Sequence, residues 1–277
     1  MGFRINTNVA SLQAQTSLGK VNRESEASFS KLSSGQRITK AADDAAGLAI
    51  SEKLKAEIRS TQQATRNAND GISMIQVAEG GLNETSNILT RLRELAMQSA
   101  SDTVGDTERQ MTNLEYQQLK SEMERISKVT EFNGKKLLDG TAEKYDYQVG
   151  SGNDDFEDRI SFDGSALNAS LESIGIESAD VSSKEGAQDS LAMLDGAIEK
   201  VSGQRAVLGA TQNRLTSTVT NLQVFSENMS AANSRIRDVD YAEETAKQAR
   251  NQIITAAGTS VLAQANASGQ QALKLIG

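Results

Sequence analysis

LAMLDGAIEKVSGQRAVLGATQNRLTSTVTNLQVFSENMSAANSRI, residues 191–236, is the stretch to which the rest of the chain must adapt. Alternating strides of three and four land on Leu191, Leu194, Ile198, Val201, Arg205, Leu208, Gln212, Leu215, Val219, Leu222, Ser226, Met229, Asn233 and Ile236. Ten of those fourteen positions are apolar, and no proline interrupts the run. A stripe on this spacing is the seam of a long helix packed along other long helices. At 1.5 Å per residue the helix is about 69 Å long, more than a compact globule needs. It cannot bury its stripe by folding back on itself. Its partners come from elsewhere in the chain or from other chains.

Composition points the same way. With 37% apolar residues, 4% aromatics and no Trp, the 277-residue chain suits thin helical seams better than a thick core. Proline is absent, which removes the strongest helix breaker. Absent Cys excludes disulfides and thiolate chemistry, and absent His removes the usual general base and the commonest metal ligand. The polar start MGFRINTNVASLQAQ has no signal-peptide pattern, and no run approaches a membrane span. The net charge of −8 argues against nucleic acid as a partner. That charge is concentrated. Residues 139–195 hold 14 Asp/Glu against 3 Lys/Arg, an acidic island between near-neutral helical flanks.

Working outward, residues 4–32 carry a weak helical stripe through Ile5, Val9, Leu12, Leu18, Val21, Phe29 and Leu32. An irregular connector follows at Gln36–Ala42, and Asp43-Asp44 opens a second helix to about Ala100, its acids at the positive end of the helix dipole. Gly71 and Gly80-Gly81 inside it mark close approach or a bend. A third helix is expected at 107–129. TEFNGKKLLDG (130–140) breaks the period with Asn-Gly and Asp-Gly turn formers. KYDYQV (144–149) and RISF (159–162) alternate with period two and predict a β-hairpin. Residues 163–186 read as loop with some helical turns. A possible hinge at 237–240 and an alanine-rich helix at 241–270 complete the chain. The fold class is therefore mainly α: long antiparallel heptad helices in a rod-like bundle, a small β-hairpin insert at about 141–165, and paired N- and C-terminal helical arms. Residues 1–43 and 237–277 form one domain, and 44–236 the other. Both arms have stripes too thin to offset ordering entropy alone.

No constellation supports an enzyme. A phosphate loop is missing, because Gly19-Lys20 and Gly134-Lys135 are isolated pairs. Asp43-Asp44 reads as a helix cap rather than an acid/base pair. Asn153–Asp158 (NDDFED) lacks the glycine and spaced glutamate of a calcium loop and reads as a solvated hairpin tip. No cofactor or metal is expected. The polar seam positions Arg205, Gln212, Ser226 and Asn233 are either surface breaks or register-setting positions that another chain completes.

Several motifs resemble bacterial flagellin: Ile5-Asn6-Thr7-Asn8 with Leu12-Gln13-Ala14-Gln15, Leu32-Ser33-Ser34-Gly35, Arg37-Ile38, and Ala42 through Ile50. The likeness continues through Leu92–Ala96, Phe132-Asn133-Gly134 and Leu137-Leu138, then returns at Leu208-Gly209-Ala210, Gln212–Leu215, Ser234-Arg235-Ile236 and Gln264-Ala265-Asn266. Gln36 departs from the family's apolar residue, and the LKLIG terminus departs from its proline-containing, arginine-closed end.

The resemblance implies a homo-polymer: the filament subunit of the bacterial flagellum, short enough to lack the outer variable domains. Paired arms would form the inner tube and the heptad helices the next shell. Inter-subunit contacts are expected at Ile5, Asn8, Leu12, Leu32, Leu262, Leu273, Leu275 and Ile276, with the C-terminal ones also covered by an export chaperone. The family's patch for a vertebrate Toll-like receptor maps to Arg91, Leu95 and Glu115. Filament-cap and hook-junction proteins are further implied partners; nucleic acid and membrane are not. Export unfolded through the flagellar type III channel, without a cleaved signal, gives an extracellular location. The alternatives are a hook–filament junction protein with similar arms, or a secreted receptor-binding protein.

Overall fold

The computed structural model describes residues 7–274, with side chains described through Ala267. The chain divides into two compact units, residues 1–56 with 228–277, and residues 57–227. Among the described residues six α-helices appear in order: α1 (Val9–Ser34), α2 (Ala45–Ser99), α3 (Asp106–Val129), α4 (Leu171–Ile174), α5 (Lys184–Arg237) and α6 (Tyr241–Lys274). Four short strands lie between α3 and α4: β1 (Glu131–Phe132), β2 (Lys135–Lys136), β3 (Lys144–Gln148) and β4 (Arg159–Asp163). The mainly α fold of long helices, with strand pairs confined to the middle, is as the periodicity predicts.

In the unit of residues 1–56 and 228–277, α1 packs along α6. Asn8 starts α1 by accepting the Ser11 N–H on its side chain, 3.1 Å, so the helix begins after it. Gly35 ends α1 in the left-handed conformation, φ 70°. The connector expected to be irregular is tied down at the backbone. Arg37 N–H donates to Arg237 O at 2.6 Å and Val239 N–H to Gly35 O at 3.1 Å, and Gln36 bridges Asp238. Asp43 and Asp44 divide the work. Asp43 Oδ2 accepts the N–H groups of Thr39 and Lys40 and the Thr39 hydroxyl. Asp44 Oδ1 accepts the Gly47 N–H at 2.8 Å and caps α2.

In the unit of residues 57–227, α2, α3 and α5 share a core that includes Ile75, Leu82, Leu89, Leu92, Tyr116, Met123, Leu194, Val201 and Leu208. Of the opening seam, Leu194, Val201, Leu208 and Leu215 are buried with Ile198, Arg205 and Gln212 half buried between them, and beyond Leu215 the seam is only half buried, at Val219 and Leu222. Helix α5 begins at Lys184, before the stripe starts, because Ser183 Oγ accepts the Gly186 N–H (3.1 Å) and Ala187 is already buried. Strands β3 and β4 form the expected hairpin, with Tyr147 opposite Ile160 and Tyr145 opposite Phe162. Its Tyr147 ring sits where a Cβ on Gly71 would be, 2.9 Å away, so Gly71 marks close approach. A second antiparallel pair, β1–β2, closes through Asn133 (φ 50°) and Gly134 (φ 77°), where the sequence indicated only a turn.

The strap between β4 and α5 is held by side chains that reach its backbone. Lys120 Nζ donates to Glu177 O and Ala179 O (2.8 and 2.9 Å), and Lys200 Nζ to Ser173 O and Ile174 O (3.0 and 3.2 Å). Glu124 Oε2 accepts the Leu171 N–H (3.1 Å), and Gln204 donates to Asn168 O (3.0 Å). Burial pushes the Lys120 amine's pKa down. At the far end of α2, buried Arg109 closes the turn by donating to Ser99 O and Ser101 O, 2.9 Å each, and pairing with Asp106.

Candidate assembly surfaces

The α1–α6 pair is packed with the wrong side chains for a self-sufficient core. Among the described residues its buried members are Ser11, Ser28, Glu244 and Asn251, all polar. The bonds across it are polar too. Asn8 Nδ2 donates to Ala265 O (2.8 Å), Ser11 Oγ to Asn266 Oδ1 (2.8 Å), and Tyr241 OH to Leu32 O (3.2 Å). The helices approach closely where Gly258 meets Leu18, whose Cδ2 lies 2.8 Å from the position of an added Cβ. Several large apolar side chains face outward instead, Leu12 62% exposed, Phe29 68% and Ile253 70%, with Val9 and Val261 also exposed, while Leu18, Val21, Leu32 and Leu262 are half buried. An open groove of about 450 Å³ along the pair is lined by Leu18, Val21, Ile253, Ile254 and Val261. Each such side chain forgoes about 1.5–3 kcal/mol while it stays in water.

Of the expected contact residues, Leu12 is exposed, Leu32 and Leu262 are half buried, and Asn8 is half buried with its amide held within the chain. Ile5, Leu275 and Ile276 lie outside the described residues, as does the Leu273 side chain. The polar seam positions divide. Arg205 pairs with Glu79 at 3.9 Å, Gln212 and Ser226 are half buried, and the buried Asn233 Oδ1 accepts no hydrogen bond among the described residues.

On the other unit, Arg91 and Glu115 are joined: Nε and Nη2 donate to Glu115 Oε1 at 3.1 and 2.9 Å, while Nη1 reaches Glu94 at 2.9 Å. Glu115 first, then Glu94, raises the Arg91 guanidinium's pKa above its ordinary value. Leu95 is 2% exposed and belongs to the core, so it is not a surface member of this group. Sequence reasoning read Met111 and Leu114 as part of the apolar stripe of α3 and so missed that both are exposed, where a partner could reach them. It also passed over the groove between the β3–β4 loop and α5, where Phe156 is 93% exposed and Arg214, Leu222 and Phe225 form one wall. The tip itself is tightly built. Asp158 accepts the N–H groups of Gly152 and Asp154, Asp154 accepts those of Phe156 and Glu157, and Arg159 pairs with Asp155. No group of three or more His, Cys, Asp or Glu among the described residues could hold a metal ion, and no described helix is long and apolar enough to cross a membrane.

Long helices with a terminal pair that turns its apolar side chains outward define a building block of a larger assembly. The chain belongs to the bacterial flagellin family: the family's N-terminal helical region matches residues 5–143 and its C-terminal helical region residues 191–276. It is 43% identical to the flagellin of Halalkalibacterium halodurans over 98% of this chain and 99% of that one. It is 40% identical to the flagellin of Bacillus subtilis over 99% of this chain and all of that one. Among solved structures, the crystal structure of Bacillus cereus flagellin shares 32% identity at a TM-score of 0.50, covering 61% of this chain and 94% of that one. The protein is a structural subunit of the bacterial flagellar filament, serving swimming motility. Neither family region includes residues 144–190, the β3–β4 hairpin and the strap.

Proposed function

We propose that residues 1–43 and 237–277 build the inner tube of the filament by packing against the arms of neighbouring copies, with 44–236 forming the next shell. One observation carries this reading: among the described residues, the fully buried side chains of the α1–α6 pair are all polar, and Leu12, Phe29 and Ile253 are left in water. Neighbouring copies are the natural cover, because a head-to-tail contact repeated without closure generates an open helical filament. Leu12, Leu32 and Leu262 would make inter-subunit contacts, joined by Ile5, Leu273, Leu275 and Ile276. Before export the C-terminal members would be covered by the chaperone, and at the filament ends by cap and hook-junction proteins. The subunit would reach the exterior through the flagellar export channel without a cleaved signal. The exposed Arg91–Glu115 pair supports a receptor patch on α2 and α3, with Leu95 acting only from beneath.

Ile253→Asp tests the assembly surface, because the side chain is exposed and its loss removes little from the free subunit. The expected result is an unchanged circular dichroism melt with polymerisation on filament seeds abolished, read by sedimentation. Normal polymerisation of this variant and of Leu12→Asp would overturn the arm-contact reading.

A further inference from the structure

The β1–β2 turn holds the one Asn-Gly pair in the sequence, Asn133-Gly134. Both residues are exposed and both have positive φ, 50° and 77°, as a two-residue hairpin turn of this hand requires. Asn133's side chain makes no hydrogen bond among the described residues, and neither does the Gly134 backbone N–H. Nothing lies within 4 Å of the Cβ position of Gly134. A carboxamide and the next backbone nitrogen are therefore both free, with no side chain between them.

Other candidates are each blocked. Asn153 accepts from Arg159, and the N–H that follows it donates to Asp158 at 2.9 Å. Asn168 accepts from the Ser170 N–H (2.9 Å), and the next N–H donates to Leu138 O (2.8 Å). The side chain of Asn8 is engaged at both atoms. Asp139, which also precedes a glycine, is bound by Thr141, and the space beside Gly140 is filled by Asn168. The remaining described asparagines lie inside helices, where the following nitrogen donates along the helix.

We propose that Asn133 is a self-modifying site that converts this neutral turn to an anionic one. The Gly134 nitrogen forms a bond to Asn133 Cγ and gives up its proton, while the side-chain nitrogen leaves as ammonia. The product is a five-membered imide. Water then opens either imide C–N bond, leaving aspartate or isoaspartate. No oxidant, reductant or enzyme is needed. Isoaspartate inserts a methylene into the backbone of a two-residue turn, so the pairing of Phe132 with Lys135 and the Leu137 N–H bond to Thr130 O (3.1 Å) are disrupted. Leu137 and Leu138, both buried, follow directly.

The test incubates the full-length protein in warm, mildly alkaline buffer, then maps its peptides by mass. Methyl acceptance from S-adenosylmethionine is measured with a protein isoaspartyl methyltransferase. The peptide holding Asn133 should gain one dalton an order of magnitude faster than any other asparagine peptide. Methyl acceptance should rise in parallel and vanish in Asn133→Gln. Faster gain at another asparagine, or methyl acceptance that persists in Asn133→Gln, would overturn the assignment.

Discussion

Adjacent glycines in α2 differ in what a single added methyl group would meet. At Gly81 a Cβ would lie 2.7 Å from Leu138 Cδ1 and 2.8 Å from the Thr130 hydroxyl, whereas at Gly80 nothing lies within 4 Å. Gly81→Ala should therefore destabilise the unit of residues 57–227 by about 1–3 kcal/mol, the usual cost of overpacking. Gly80→Ala should stabilise it by about 1 kcal/mol through helix propensity alone. Urea unfolding of the two variants checks the opposite signs. Asp43 offers a pH test. The Lys40 N–H, then the Thr39 N–H and hydroxyl, hold its carboxyl below the ordinary value of 3.8. A depressed carboxylate contributes stability that is fully present above its unfolded pKa and is lost as pH falls through the folded one. Asp43→Asn should thus lower the melting temperature at neutral pH and match the parent in strong acid. A deficit that persists unchanged in acid would refute the carboxylate's role. The sequence marked both acids as caps, yet only Asp44 caps the helix; Asp43 closes the connector, a loop bond without periodicity.

Helix α5 shows what periodicity conveys and what it misses. Its stripe was legible because the residues that touch α2 and α3 must recur every three or four positions. Leu208→Ala, at a fully buried seam position, should cost about 2–5 kcal/mol in the free subunit. Half-buried Leu222 should cost less when truncated in the same assay. A larger loss at Leu222 than at Leu208 would contradict the fading of the seam. The helix start at Lys184 escaped the stripe because Ser183 fixes it through one capping bond. The strap was illegible for a related reason. Lys120, Glu124, Lys200 and Gln204 bind its carbonyls and N–H groups, and such bonds impose no pattern on the strap's own residues. In the candidate site, Leu95 illustrates the converse: a motif match gives a position in sequence, but burial depends on the helix face it occupies.

At the scale of the whole molecule, the contacts that hold each unit together differ from those that would join copies. The main apolar cluster lies between residues 68 and 215, while the fully buried side chains described in the α1–α6 pair are polar. Amide exchange over 9–34 and 241–267 should accordingly be fast in the free subunit and slow in the polymer. Equal, strong protection in both states would mean that the arms do not depend on neighbours. Removing residues 1–43 or 237–277 should abolish assembly while the helical signal of the remaining core persists. Electron microscopy of the purified full-length protein supplied with filament seeds tests directly whether the arms drive assembly. Long tubes from the intact chain, and none from either truncation, are the predicted result. Tubes from both truncations, or an intact folded chain that never extends a seed, would contradict it.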